Sequence, residues 1–365
     1  MDRRSFIKNA GVATAGIAAA STLAAPAIAQ ARKECVVVST WPKDFPGLGT
    51  GAQRAAKRIG ELTEGRINVQ YYAAGERVGA FACFDAVASG NAQAYHGAEY
   101  YWKGKHEGYS YFTSVPFGLT HVEHDAWIMH MGGQQLWDKL GDQYGLKPFL
   151  CGSTGVQMGG WFNKEIETPD DIKGLKMRIP GQGGDVIALL GGSPVSLPGG
   201  QIYENLVSGA IDATEWVGPW NDYFLKFHEA AKYYYYPGMH EPGSTLGMVF
   251  NKSWFSTLSK NDQQIVKAAC HEEHMNMMAE FNANNSTYLR KLVKEHGVKV
   301  RRFSDEVYDA FGKAAEEVFA KAITHSALTK EIHESFIKAR ADTGAWMNLA
   351  DVPYIQQRNR VLGLN

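Results

Sequence analysis

After its first thirty residues the chain has no long apolar run, few cysteines and no excess of either charge, and each absence excludes something. Crossing a hydrocarbon core takes about 20 strongly apolar residues. No later segment reaches that length, so no membrane-spanning helix is expected in the body of the protein. Lys and Arg number 37 against 38 Asp and Glu, a formal net charge of -1. Nucleic-acid and anionic-membrane binders concentrate basic residues, and no such cluster occurs. The four cysteines (Cys35, Cys83, Cys151 and Cys270) are widely separated and match no metal-ligand spacing. In an oxidising compartment they allow a disulfide in any of three full pairings, or they stay as buried thiols. A Gly-x-Ser-x-Gly elbow is missing too, which removes the commonest nucleophile turn.

What is present begins with an address. Arg3-Arg4-Ser5-Phe6-Ile7-Lys8 is followed by a mild Ala- and Gly-rich apolar run that ends in Ala27-Ile28-Ala29. A charged head, apolar middle and small-residue exit make an export signal over residues 1–29, and the adjacent arginines point to the twin-arginine route. The mature chain is therefore expected in the periplasm, away from most cofactor-fed metabolism. Of 365 residues about 336 then remain, too many for one core and suited to two lobes.

The periodicity reads as α/β. Cys35–Thr40 is a short apolar strand, residues 52–63 a helix, Ile67–Tyr72 a second strand and residues 80–89 a second helix. The pattern resumes with a Thr168-Pro169 helix start, a strand over residues 176–179 and helices over 185–190 and 203–209. Strands alternating with helices predict parallel sheet with covering helices. Ser259 and Asp262 are spaced as a cap, and neither Gly nor Pro occurs from there to His296. An unbroken helix of that length is about 55 Å long, longer than one lobe is wide, so it is expected to run along both. Helices are expected again over 304–324 and 329–341, and Tyr233–Tyr236 reads as a packed strand.

Three stretches carry chemistry. Arg178 ends the apolar run Leu175-Lys176-Met177-Arg178 just before Pro180-Gly181, a position that delivers its planar fork to a strand's carboxyl end, where α/β sheets bind ligands. A surface or salt-bridged Arg is the competing reading. In Ile211-Asp212-Ala213-Thr214-Glu215-Trp216-Val217-Gly218-Pro219, a carboxylate beside a large aromatic could hold a cation while the indole walls a pocket. A packed Trp beside a solvated Glu competes with it. Gln157, in Gly155-Val156-Gln157-Met158-Gly159-Gly160-Trp161-Phe162, offers an amide among residues that permit close backbone approach, near where the two α/β segments meet. Gly47-Leu48-Gly49-Thr50-Gly51-Ala52 matches a dinucleotide fingerprint, but it stands too far from the strand and lacks the acidic partner. His271 and His274, and likewise His121, His124 and His130, lack a zinc-helix pattern and are expected on solvated helix faces.

Together the segments Thr154–Phe162, Leu175–Arg178 and Ile211–Pro219 resemble the solute-binding subunit of TRAP (tripartite ATP-independent periplasmic) transporters, over essentially the whole mature chain. The likeness is strongest to its 2-oxo-acid-binding branch, which also carries counterparts of Ala74-Gly75-Glu76 and Tyr100-Tyr101-Trp102. The loop Trp41–Gly51 and the segment Val195–Gln201 depart from the branch pattern, which leaves the ligand's side chain open. The resemblance implies a two-lobed periplasmic solute-binding fold, with a long helix spanning both lobes and a helical C-terminal tail. It divides the chain into a signal (1–29), mainly lobe I (30–153), mainly lobe II (154–242), a return segment with the long helix (243–297) and C-terminal dimerisation helices (298–365). It implies no catalytic residues. Arg178 clamps a small 2-oxo or 2-hydroxy monocarboxylate such as pyruvate, with Gln157, Trp216 and Tyr101 beside it. Gln157, Glu215 and Trp216 surround a cation, sodium first and calcium second. The implied partners are the membrane permease subunits and a second copy of the chain. An exported enzyme loaded with a cofactor, or a ligand-sensing binding protein, are the alternative readings.

Overall fold

The computed structural model describes residues 32–364, so the expected twin-arginine signal lies outside the described residues. Eleven strands follow in chain order: β1 (Lys33–Ser39), β2 (Ile67–Tyr72), β3 (Ala94–Gly97), β4 (Leu146–Gly155), β5 (Gly160–Phe162), β6 (Lys176–Arg178), β7 (Ser193–Val195), β8 (Ala213–Thr214), β9 (Tyr233–Tyr236), β10 (Ser244–Asn251) and β11 (Lys299–Arg302). They form two sheets, a 5-stranded one ordered β2-β1-β3-β10-β4 and a 6-stranded one ordered β11-β9-β5-β8-β6-β7. β1 pairs in parallel with β2 and β3, and β6 with β7 and β8, as the β-α alternation predicts. The antiparallel pairs of β10 with β3 and β4 arise where the chain returns to the first sheet.

Each sheet has its own apolar core. Tyr95, Trp127, Trp137 and Phe336 pack on the first, and Met177, Ile187, Phe303 and Phe311 on the second. A further cluster joins the lobes, with Trp41, Leu48 and Tyr100 from the first meeting Ile202, Trp216 and Phe281. The long helix Lys260–His296 runs 37 residues, begins on the Ser259 side chain and ends at Gly297 with φ 65°. It packs Val266 and Cys270 against the first lobe and Phe281 against Trp220 of the second, so it spans both.

Several details differ from the expectations. The first helix begins at Leu48, four residues early, so Gly47 is its N-cap and Gly49 and Gly51 lie inside it. A Cβ on Gly51 would meet Met277 Cε at 2.4 Å and Glu273 Oε1 at 2.7 Å. A Cβ on Gly47 would meet Phe281 Cζ at 2.8 Å, so close approach to the long helix, not a phosphate, explains these two glycines, while Gly49 packs against the Pro42 carbonyl of its own entry loop. Thr168-Pro169 opens only a single 3-10 turn, Pro169–Ile172. Lys299–Arg302, within a stretch read as wholly helical, adds β11 beside β9. The C-terminal helix Ala327–Met347 lies on the first lobe through Ile332 and Phe336, and Asp351–Leu362 forms one more helix.

His121, His124 and His274 are buried rather than solvated. Their helices face the first lobe's sheet, where His124 bonds the Tyr111 carbonyl and the Thr245 hydroxyl. His130 is exposed, as expected. All four cysteines are buried free thiols.

Candidate functional site

Arg178 ends β6 between β7 and β8, and its register partners are Val195 and Thr214. The chain just beyond those partners supplies its ligands. Its Nε donates to the Leu197 carbonyl at 3.1 Å, and Nη1 donates to the Glu215 carbonyl at 3.1 Å and to the Glu215 carboxylate. Three parallel strands thus present their carboxyl ends at one point. The guanidinium is fully buried and sits 5.1 Å from the Trp216 ring centroid. Burial works against its charge, but Glu215 together with Tyr101, Tyr100 and Glu241 outweighs that and holds the pKa above its ordinary value. Nη2 is buried with no hydrogen-bond partner among the described residues.

Glu215 is likewise buried, and its Oε2 lies 3.3 Å from His240 Nε2. Gln157 donates from Nε2 to Thr154 Oγ1 at 3.0 Å and to Glu241 Oε2 at 2.7 Å, which leaves its Oε1 buried and unpartnered. Burial, then the neighbouring Glu215 charge, pushes the Glu241 carboxyl up to about 7. Burial opposes the charge of His240, but Glu215 more than compensates, and its pKa is raised. Glu215, His240 and Glu241 each offer an atom to a point within 4.8 Å of the others.

An aromatic box closes the space in front of these groups. A narrow cavity of about 10 Å³ is lined by Trp41, Leu48, Tyr100, Tyr101, Gln157, Trp216 and Ser244, among others. Trp41 meets Trp216 edge-on at 6.1 Å and Tyr101 at 6.2 Å. Burial raises the Tyr101 phenol to about 12 although Arg178 pulls it down, so it stays a neutral donor at pH 7. Gly199 is needed here, because a Cβ would stand 2.5 Å from the Trp216 ring. The segment Val195–Gln201 therefore seats both Arg178 and Trp216.

The structure places Gln157, Arg178, Glu215, Trp216 and Tyr101 around one cleft between the lobes. Sequence reasoning missed His240 and Glu241. The available signal was an adjacent charged pair ahead of a Pro242-Gly243 break, the same kind of setting that drew attention to Glu215. The arrangement can hold a small anion on a buried guanidinium edge and a hard cation on oxygens.

Residues 38–325 match the profile of the bacterial extracellular solute-binding protein, family 7. The monocarboxylate 2-oxoacid-binding periplasmic protein of Nostoc sp. (strain PCC 7120) is 39% identical over 97% of this chain and 98% of that one. A TRAP periplasmic solute-binding protein of Pseudoalteromonas atlantica T6c, solved with bound sodium and pyruvate, is 38% identical. It superimposes with a TM-score of 0.86 over 89% of this chain and 99% of that chain. A TRAP solute-binding protein of Bordetella bronchiseptica RB50 is 34% identical, with a TM-score of 0.89 over 91% of this chain and 98% of that one. It was solved as a mixed-occupancy dimer with copurified calcium and picolinate in one site.

Proposed function

The chain belongs to the bacterial extracellular solute-binding protein family 7, and from that membership we propose that it is the periplasmic receptor of a TRAP transporter for a small 2-oxo monocarboxylate. The observation that carries this reading is the free Nη2 edge of the buried Arg178, in the same cleft as the unpartnered Gln157 Oε1 and the buried Glu215 carboxylate. Removing a carboxylate from water requires charge-assisted hydrogen bonds to offset its desolvation. Arg178 supplies them, with Tyr101 and Trp216 beside the bound acid. Gln157 Oε1, the Glu215 carboxylate and the Trp216 main-chain oxygen would hold a cation, an all-oxygen set suited to a hard ion such as sodium or calcium. The ion supplies positive charge next to the ligand.

Residues 30–153 and 154–242 act as the main bodies of the two lobes and close by hinge motion about the strands that cross between them. The loaded form is what the membrane permease receives. Among the described residues no helix is long and apolar enough to cross a membrane.

A homodimer belongs to the same reading. The helix Asp351–Leu362 has no buried residue, and Trp346 (67% exposed) and Tyr354 (65%) are open to solvent. A helix of that length is marginal in water without packing, and a second copy supplies a surface for it. The Bordetella relative is described as a dimer.

Calorimetric titration with pyruvate, longer 2-oxo acids and lactate, in sodium, in calcium and with neither, tests ligand and cation together. Cation-dependent binding of a 2-oxo acid is expected, and silence across the panel would sink the proposal.

A further inference from the structure

Away from the cleft, the helix His121–His130 faces the long helix and places two imidazoles about one carboxylate. His274 Nε2 lies 2.8 Å from Asp125 Oδ1, and His121 Nε2 lies 3.4 Å from Asp125 Oδ2. One ligand atom from each residue falls within 4.8 Å of the other two. We propose that His121, Asp125 and His274 form a second metal site, for a divalent transition ion of the zinc class, at the root of the strand that crosses between the lobes.

The setting of His274 suits a metal ligand. Its Nδ1 lies 2.9 Å from the Gly152 carbonyl and 3.2 Å from the Gly152 amide, and in the tautomer that donates to the carbonyl its Nε2 lone pair is free to take a metal beside Asp125. A backbone carbonyl on the far nitrogen is also the support that metal-bound imidazoles usually have. His121 is only 9% exposed and turns its Nε2 toward Asp125.

The donor set selects the ion. Two imidazole nitrogens and a carboxylate, with the fourth position left to water, suit zinc, whose ligand bonds of about 2.0–2.1 Å put neighbouring donors roughly 3.3 Å apart. Sodium and calcium prefer oxygen and would stay with the cleft. The side chains of His121 and Asp125 are 11% and 18% exposed, which gives an ion a way in, while His274 forms the closed floor. Gly152 stands two residues before Thr154, whose hydroxyl accepts from Gln157. Bound metal would therefore tie the helix that spans both lobes to β4 just before the ligand cleft.

The test uses tag-free, chelator-stripped protein titrated with zinc, and separately with cobalt(II) followed by its visible absorption. Expected are one ion per chain, a d–d spectrum of a four-coordinate site, and zinc affinity at least about tenfold weaker in His121→Ala and in Asp125→Asn. Pyruvate binding in calcium should be unchanged in both variants. X-ray absorption of the zinc-loaded wild type should report two imidazole nitrogens, which decides the matter even if a variant fails to fold. Absence of saturable zinc binding, full affinity in folded variants, or a wild-type shell without two imidazoles would each overturn the proposal.

Discussion

Arg178 and Glu215 form an ion pair that solvent does not reach, with side chains 1% and 0% exposed. Cutting such a pair leaves an uncompensated buried charge and costs about 3–5 kcal/mol. Arg178→Ala should therefore lose both ligand binding and much stability, and so it tests the site poorly alone. Arg178→Lys keeps the charge but not the fork. It is expected to melt close to the wild type while binding 2-oxo acids about 100-fold more weakly, equivalent to one strong charge-assisted hydrogen bond. Calorimetry on the folded variant checks this; undiminished affinity would remove Arg178 from the site.

Glu241 links affinity to pH. In sodium, the ion and Arg178 contribute two positive charges and ionised Glu215 removes one, which leaves net attraction for a monoanion while Glu241 is neutral. Its carboxyl, pushed up to about 7 by burial and then by Glu215, ionises as pH rises through that value and cancels the remainder. Affinity in sodium should fall between pH 6 and 8, by at most about tenfold per pH unit. Calcium, with one more charge, should flatten the fall, and Glu241→Gln should reduce it, leaving the part that comes from His240 losing its proton. The same raised pKa has a stability consequence. The contribution of neutral Glu241 is fully present below the unfolded value near 4.5 and is lost as pH rises through about 7. Ligand-free Glu241→Gln should gain more in melting temperature at pH 8 than at pH 5.

Gly199 has no room for a methyl group beneath Trp216, which the added carbon would meet at 2.5 Å. Gly199→Ala should tilt the indole off Arg178 and weaken ligand binding, with little loss of secondary structure. Normal affinity, measured by quenching of tryptophan fluorescence, would show that the ring's position does not matter.

The terminal helix offers a clean cut. Ending the chain at Asn348 keeps the helix that buries Ile332 and Phe336 in the first lobe and removes Asp351–Leu362, which buries nothing. The truncated protein should be monomeric by light scattering and bind its ligand as before. A dimer that survived the cut would place the interface elsewhere.

Much of this was legible in the chain because it depends on neighbours in sequence. The helix Lys260–His296 follows from a Ser259 cap, a missing Gly or Pro and a Gly297 stop. The placing of Arg178 follows from a short apolar strand that ends at Pro180-Gly181. What stayed hidden depends on residues far apart in the chain. Glu241 and His240 reach Gln157 and Glu215 only because the chain crosses back between the sheets. The buried histidines at 121 and 274 meet across two helices, and the glycines at 47 and 51 answer to a helix more than two hundred residues later.

The scarcities noted at the start have a physical counterpart. Few cysteines, balanced charge and no long apolar run determined what the protein is not, and local pattern determined its strands, helices and the arginine at a strand end. Only the tertiary structure decided which charges would be buried together. Burial raises the cost of an unpaired charge and the strength of each ionic contact, and it is a property of packed surfaces that no local stretch of sequence carries.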